Sequence, residues 1–180
     1  MNMIVKQIIM RPQDIVVLLK KMTSSGRMMN GRELSESLGI SQSEVSEVME
    51  RNRSAHLVDD TKTRVNVLSL REFLIYGVRY CFPVTPGPVV RGVPTAVSSP
   101  LFSESIVTGN ESYVWKDRDG TQRGQSITPL FHTVPQSAKR DDELYSLLSI
   151  VDALRIGRSR ERDIAIKELD KFISSYVQNK

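Results

Sequence analysis

The 180-residue chain has few of the residues that build disulfides, metal sites and membrane spans. Its single cysteine, Cys81, excludes an intramolecular disulfide framework and is typical of a reducing compartment, so we expect a cytoplasmic protein. Its two histidines, His56 and His132, have no partner at the spacing of metal ligands. No apolar run approaches the roughly 20 residues that a membrane-spanning helix requires, so we expect no membrane partner.

The same scarcity of reactive side chains argues against an enzyme. We interpret Cys81 as a packed small hydrophobic residue and not as a nucleophile. Residues 120–124 contain the two glycines of a phosphate-binding loop but lack its Gly-Lys-Ser/Thr ending. The acidic residues 141–143 are better explained as negative charge at a helix N-terminus than as a metal site. We therefore predict no catalytic residue, no metal site and no cofactor.

The charge of the chain is mildly basic and unevenly distributed. Its formal net charge is +4 and its isoelectric point is about 9.3. Residues 1–80 carry 12 basic against 9 acidic side chains, residues 81–140 carry 6 against 4, and residues 141–180 carry 7 against 8. This distribution permits nucleic-acid binding by the N-terminal and middle parts of the chain.

The clearest local pattern lies between residues 29 and 53. A polar residue precedes a glutamate by three positions at two places, which is the spacing of a capping box at a helix start: Asn30 with Glu33, and Ser41 with Glu44. Hydrophobic staples flank both boxes, and Gly39 lies between them, where a positive φ costs a glycine little. This pattern predicts a helix-turn-helix, whose second helix usually enters a DNA major groove.

Elements with weaker signals flank this pattern. We predict a first helix near residues 12–23, since Pro12 suits a first turn and an apolar face follows it. The β-prone runs 55–58 and 63–68, joined by a polar turn, predict a hairpin. A third capping box, Ser69 with Glu72, predicts a helix start and a helix that continues to about Tyr80.

Residues 11–80 resemble a winged helix-turn-helix domain of bacterial transcription regulators, nearest in style to the MarR type. The resemblance is carried by GRELSESLGISQSEVSEVMERNRSAHLV, from Gly31 to Val58, and by the wing-like segment Asp59 to Leu68. It covers about two fifths of the chain and implies binding to double-stranded DNA. The proline-broken C-terminal part departs from the long dimerisation helices of MarR-type proteins, so the ligand pocket of that family is not carried over.

The candidate DNA-binding residues follow from the predicted third helix and its surroundings. Val45, Val48 and Met49 form the apolar stripe of that helix, so the opposite face should be exposed. Glu44 is assigned to the capping box. Glu47 and Glu50 would face or flank phosphates and repel them unless they accept a hydrogen bond from cytosine or pair with a nearby arginine. The predicted DNA-binding residues, for bases and phosphates together, are Arg32, Ser41, Gln42, Ser43, Ser46, Glu47, Arg51, Arg53, Lys62 and Arg64.

The rest of the chain predicts three further pieces. Residues 82–100 contain five prolines, which exclude a long helix and a central strand; an extended segment packed on the domain is favoured over a free linker. Asp119-Gly120 between the β-prone runs 112–116 and 121–127 predicts a β-hairpin, anchored by Trp115. Two apolar stripes, on either side of Gly157, predict a C-terminal αα-hairpin.

These observations predict a mainly α chain with small β elements, of the α+β class, in three parts. They are a winged helix-turn-helix domain at 1–80, a proline-rich extended segment with a β-hairpin at 81–140, and a helical dimerisation or interaction element at 141–180. We expect a sequence-specific transcription regulator, most simply a homodimeric repressor on a palindromic operator. The alternative is a protein-interaction module, such as a DNA-binding antitoxin or defence-system regulator whose C-terminal half binds a partner protein.

Overall fold

A computed structural model of the protein describes residues 9–106 and 112–178. These residues form a mixed α/β structure with eight helices and three strands. The helices are α1 (Pro12–Met22), α2 (Gly31–Leu38), α3 (Gln42–Ser54), α4 (Val67–Tyr76), α5 (Val78–Cys81), α6 (Val134–Ala138), α7 (Asp142–Ile156) and α8 (Ser159–Gln178). The strands are β1 (Val89–Pro94), β2 (Tyr113–Lys116) and β3 (Gln122–Ser126), and short 3-10 turns cover Ala96–Ser98 and Pro100–Phe102.

The predicted helix, tight turn and helix are present at α2 and α3. Asn30 caps α2 with both hydrogen bonds of the capping box, because its side chain accepts from Glu33 N and Glu33 accepts from Asn30 N. Gly39 ends α2 in the left-handed conformation, with φ of 64°. Helix α1 packs on both α2 and α3, and its bounds agree with the predicted range.

Helix α7 lies at the centre of the molecule. Ten of its fifteen residues are buried, and it packs against α1, α4, α5, α6 and α8. One hydrophobic core contains residues from all three predicted parts of the chain, from Ile15 to Tyr176. The division into three domains stays a prediction.

The predicted αα-hairpin is present as α7 and α8, but its apolar faces are covered. The stripe of α8, formed by Ala165, Leu169, Ile173 and Tyr176, is buried within the same chain. These faces therefore do not need a second copy of the chain to cover them. The N-terminal and middle parts of the chain supply the missing surface.

The predicted β-hairpin at residues 112–127 was wrong in its pairing. Strands β2 and β3 are present, but they run parallel to each other and both pair antiparallel with β1. Gly120 does not form a hairpin turn; it packs on the backbone of Gly92, and an added Cβ would lie 2.2 Å from Gly92 C. Trp115 does anchor this small sheet, since only 1% of it is exposed.

The exclusion of a central strand from the proline-rich segment was also wrong. Strand β1 pairs with β3 through its first half and with β2 through its second half. Pro88 precedes the strand and Pro94 is its last residue. The two positions without an N–H donor therefore lie at the ends of the strand, where the loss of a ladder hydrogen bond is tolerated. The segment is extended and packed as predicted, with Val84 and Val93 against the core.

The predicted wing is much shorter than expected. Only one β-bridge, between Val58 and Val65, joins the two sides of the loop. Helix α4 already begins at Val67, so the run 63–68 is not a strand along its whole length. Ser69 lies inside that helix and does not cap it, which corrects the third capping box. In the part of the chain that the structure describes, no helix is long and apolar enough to cross a bilayer.

Candidate nucleic-acid interface

The exposed surface of α3 consists of polar side chains near its N-terminus. Gln42, Ser43, Ser46 and Glu47 are exposed. Val45, Val48 and Met49 are buried against the rest of the protein. The predicted inward and outward faces of this helix are thus confirmed. Ser41 caps the helix, and its hydroxyl accepts a hydrogen bond from Glu44 N at 3.2 Å.

The second capping box is only half formed, because the Glu44 side chain is engaged elsewhere. Its carboxylate accepts hydrogen bonds from Arg51 Nη2 at 2.7 Å and from Gln13 Nε2 at 3.1 Å. Burial raises the pKa of Glu44, but the hydrogen bonds and the positive charges of Arg51 and Arg11 outweigh it and lower the pKa overall. Glu44 therefore ties α3 to α1 instead of completing its own cap.

Arg51 was predicted to contact DNA and instead lies in an internal ion pair. Its Nη2 lies 2.7 Å from Asp14 Oδ1, and its Nε donates to both oxygens of the same carboxylate at 3.0 Å. The Arg51 side chain is 11% exposed and that of Asp14 is 0% exposed. The hydrogen bonds to Asp14 raise the pKa of Arg51 despite its burial. A phosphate could reach this guanidinium only by breaking that pair, so we remove Arg51 from the candidate surface.

Glu50 joins the end of α3 to the loop that follows. Its carboxylate pairs with Lys62 Nζ at 2.6 Å and with Arg53. Hydrogen bonds from Arg53 and then Lys62 lower the pKa of Glu50 to about 2. Glu47 lies 3.4 Å from Arg51 across one helical turn. Both Glu47 and Glu50 thus pair with a nearby arginine, which is one of the two alternatives that the sequence left open for them.

The loop between α3 and α4 is built around the carboxylate of Asp59. This carboxylate accepts hydrogen bonds from the backbone of Thr63 and Arg64 and from the hydroxyls of Thr61 and Thr63. At the loop tip Lys62 has a φ of 59°, and its N–H donates to Asp59 O at 2.9 Å. Since a left-handed conformation is unfavourable for lysine, these bonds hold the tip in one shape.

The Asp59 carboxylate should make the stability of this loop depend on pH. Burial raises the pKa of Asp59, but hydrogen bonds, first from Arg64 N and then from Thr61 and Thr63, outweigh it and lower the pKa from 3.8 to about 2. A lowered carboxyl pKa stabilises the fold well above pH 3.8, and this contribution is lost as the pH falls towards 2. We expect Asp59→Asn to lower the urea midpoint at pH 6, and the difference from wild type to vanish near pH 2.

The neighbouring Asp60→Asn is the matched control for that measurement. Asp60 is exposed, and replacing it by asparagine removes the same charge from the same loop. An Asp59→Asn variant that unfolds like the Asp60→Asn variant at pH 6 would contradict the structural role of the Asp59 carboxylate.

The remaining predicted basic residues differ in how they are held. Arg32 is exposed and pairs with Glu36 on the surface of α2 at 2.9 Å, a pair of the kind that contributes little to stability. Arg64 is exposed beside the loop tip. Arg53 and Lys62 share Glu50, as described above. Together these four side chains lie on or next to the α2–α3 unit, where they carry positive charge that could contact phosphates.

Residues considered for other chemistry do not form a second site. Cys81 is exposed, which corrects its interpretation as a packed residue. His56 follows the end of α3, at its junction with the loop, with a φ of 58°. Within residues 9–106 and 112–178, no group of three histidine, cysteine or acidic side chains could hold a metal ion. Asp141 caps α7 by accepting from Leu144 N, as the predicted role of the acidic cluster requires.

Two contacts of this region have no signal in the sequence. Asp14 looked like an ordinary acidic residue in a first helical turn, and its ion pair with Arg51 spans 37 positions. Tyr176 lies near the end of α8, and its ring stacks under the guanidinium of Arg27 at 4.4 Å. No local pattern marks either contact, because both depend on how distant helices pack.

Comparison with known proteins identifies no relative of this chain. No protein-family model matches the chain, and neither a curated protein nor a solved structure matches it significantly.

Proposed function

We propose that this protein is a sequence-specific DNA-binding transcription regulator, with a winged helix-turn-helix arrangement at residues 11–80. The observation that carries the proposal is the exposed polar face at the capped N-terminus of α3, while the opposite face is buried. Gln42, Ser43 and Ser46 can donate and accept hydrogen bonds at base edges, with Gln42 suited to adenine. The positive end of the helix faces the same way, which favours approach to phosphates.

The grip on the DNA backbone would come from Arg32, Arg53, Lys62 and Arg64. Arg53 and Lys62 would exchange the Glu50 carboxylate for phosphate oxygens on docking. Phosphate contacts of this kind fix the register of a protein on the duplex and make its affinity depend on salt. The loop tip, held by Asp59, is the piece that would take the position of the wing.

As a homodimeric repressor, the protein would place two α3 helices in successive major grooves roughly 34 Å apart, over a palindromic operator. Because the stripes of α7 and α8 are covered by their own chain, the dimer contact would have to use another surface. Leu68, Tyr76 and Tyr80 of α4 and α5 are large apolar side chains exposed by 66–74%. A monomer in a sizing experiment would remove the paired-helix model but not DNA binding itself.

Two substitutions separate base reading from phosphate binding. We expect Gln42→Ala to weaken binding to the preferred duplex by about 1–3 kcal/mol, with little effect on random DNA. We expect Arg64→Ala to weaken binding to both and to lower the slope of log affinity against log salt by about 1. The measurement is a gel shift at several fixed salt concentrations, on duplexes selected from a random library and on the upstream fragment of its own gene.

Lys167→Ala is the control for those measurements, because Lys167 is exposed on α8, away from α3. It should behave as wild type on every duplex. If the folded protein enriched no sequence from the library and shifted no upstream fragment, the proposed function would be wrong.

A further inference from the structure

A cavity of about 650 Å³ lies beside the candidate interface. It is open to solvent on one side, and it is lined by the end of α1, the loop after it, the start of α2, the buried side of α3, the α3–α4 loop and the end of α8. Its volume falls in the range of pockets that hold small organic molecules. A large part of its wall is apolar, and the main contributors are Met28, Met29, Leu34, Val45, Met49 and Tyr176.

The charged side chains that line the cavity are all basic. They are Lys21, Arg27, Lys62 and Arg64, and no acidic side chain of the described residues lines it. Lys62 already pairs with Glu50 and Arg27 stacks on Tyr176. The cavity therefore combines an apolar wall with an excess of positive charge. A free inorganic anion would leave the apolar wall without a contact, and a neutral apolar molecule would leave the positive charge without a partner.

Lys21 is the most informative residue of this lining. Only 5% of the whole residue is exposed, but its Nζ is not among the fully buried side-chain nitrogens that lack a partner, so the ammonium group itself keeps contact with solvent. Neither a hydrogen-bond acceptor nor a carboxylate of the described chain contacts its Nζ; its electrostatic partner is Asp59, whose carboxylate is occupied by the loop hydrogen bonds. Burial lowers the pKa of Lys21, and the charge of Asp59 only partly opposes this.

We propose that the cavity is a binding site for a small organic anion, with its acidic group at Lys21 and its apolar body against the methionine-lined wall. A carboxylate at this position would supply the counter-ion that Lys21 lacks. Methionine side chains adapt to apolar bodies of different shapes, so the wall suits an aliphatic or an aromatic ligand. The cavity shares Lys62 and Arg64 with the proposed phosphate contacts. The test of the site uses the protein without DNA, so its outcome does not depend on the proposed function.

Calorimetric titration of the full chain, without DNA, tests the site. The probes are octanoate and 2-naphthoate, compared with 1-octanol, octylamine and inorganic phosphate. We expect at least one of the two carboxylates to bind with one site per chain, and at least tenfold more tightly than each of the three comparison compounds. Lys21→Met keeps an unbranched side chain that is one atom shorter and removes the charge, so it should weaken carboxylate binding at least tenfold.

Two further variants complete the test. Met28→Glu places a carboxylate at the mouth of the cavity, and since Met28 is 88% exposed, this change should abolish anion binding without disturbing the fold. Lys167→Met removes a lysine from the exposed face of α8 and should leave the affinity unchanged. If neither carboxylate binds, or if Lys21→Met binds as tightly as wild type, the proposal is wrong, whatever the gel shifts show.

Discussion

Replacing Asp152 by alanine should lower the free energy of unfolding by about 3–5 kcal/mol, because it leaves a buried arginine without its counter-ion. Only 2% of the Asp152 side chain and 5% of the Arg155 side chain are exposed. The carboxylate accepts hydrogen bonds from Trp115 Nε1 at 2.7 Å, from Thr95 Oγ1 at 2.9 Å and from Arg155 Nη1 at 2.7 Å. It thus joins the small sheet to the central helix α7.

Urea unfolding followed by circular dichroism measures this effect, and Asp170→Ala is the matched control. Asp170 pairs with Arg71 at 2.5 Å, but the two side chains are 44% and 33% exposed. Such a pair should cost no more than about 1 kcal/mol when it is broken. Asp152→Asn keeps an acceptor for Trp115 and should fall between the two. A loss below about 1 kcal/mol for Asp152→Ala would show that the network does not stabilise the fold as we argue.

Replacing Asp14 by alanine should also cost about 3–5 kcal/mol, because it breaks a buried ion pair by removing the one partner of Arg51 in the described chain that is fully buried. The substitution leaves the Arg51 guanidinium, whose side chain is 11% exposed, with two more exposed partners, Glu44 at 23% and Glu47 at 63%. It also removes the acceptor for Arg11 N at the start of α1, 2.9 Å away. The expected result is a fold in which α3 is less firmly attached to α1.

A double substitution separates the buried charge from the rest of the effect. Asp14→Leu with Arg51→Met removes both charges and keeps apolar volume, so it should recover most of the stability that Asp14→Ala loses. Glu47→Ala is the control on the same arginine, because Glu47 is 63% exposed and should change stability by less than about 1 kcal/mol. If the double variant were as unstable as Asp14→Ala, the Arg51 charge left without Asp14 would not be the cause of the lost stability. Neither outcome bears on the proposed cavity ligand.

The helices of this protein were predictable because their signals are local. Asn30 and Glu33 satisfy each other across three positions, and Gly39 is placed where a left-handed residue must follow. The apolar spacing of α3 assigned its buried and exposed faces correctly. For the same reason the polar face of α3, with Gln42 and Ser46, could be selected before the fold was known.

The strand pairing was not predictable from the same kind of reasoning. The run around Asp119-Gly120 has the composition of a hairpin turn, yet Gly120 is needed for close contact with Gly92 in another strand. The prolines of residues 82–100 argued against a central strand, yet β1 begins directly after Pro88 and ends at Pro94. In both cases a local preference was overridden by pairing with a distant segment.

By itself, the sequence determined where α1, α2 and α3 begin and which side chains α3 buries and exposes near its N-terminus, because those properties depend on neighbours three or four positions away. Only the tertiary structure decided that Arg51 is held by Asp14, that α7 and α8 are covered by their own chain, and that Lys21 faces a cavity without a counter-ion. The contacts of Arg51 with Asp14 and of Trp115 with Asp152 each span 37 positions. Contacts at that separation have no periodic signal in the chain; they arise when preformed helices and strands pack around one core.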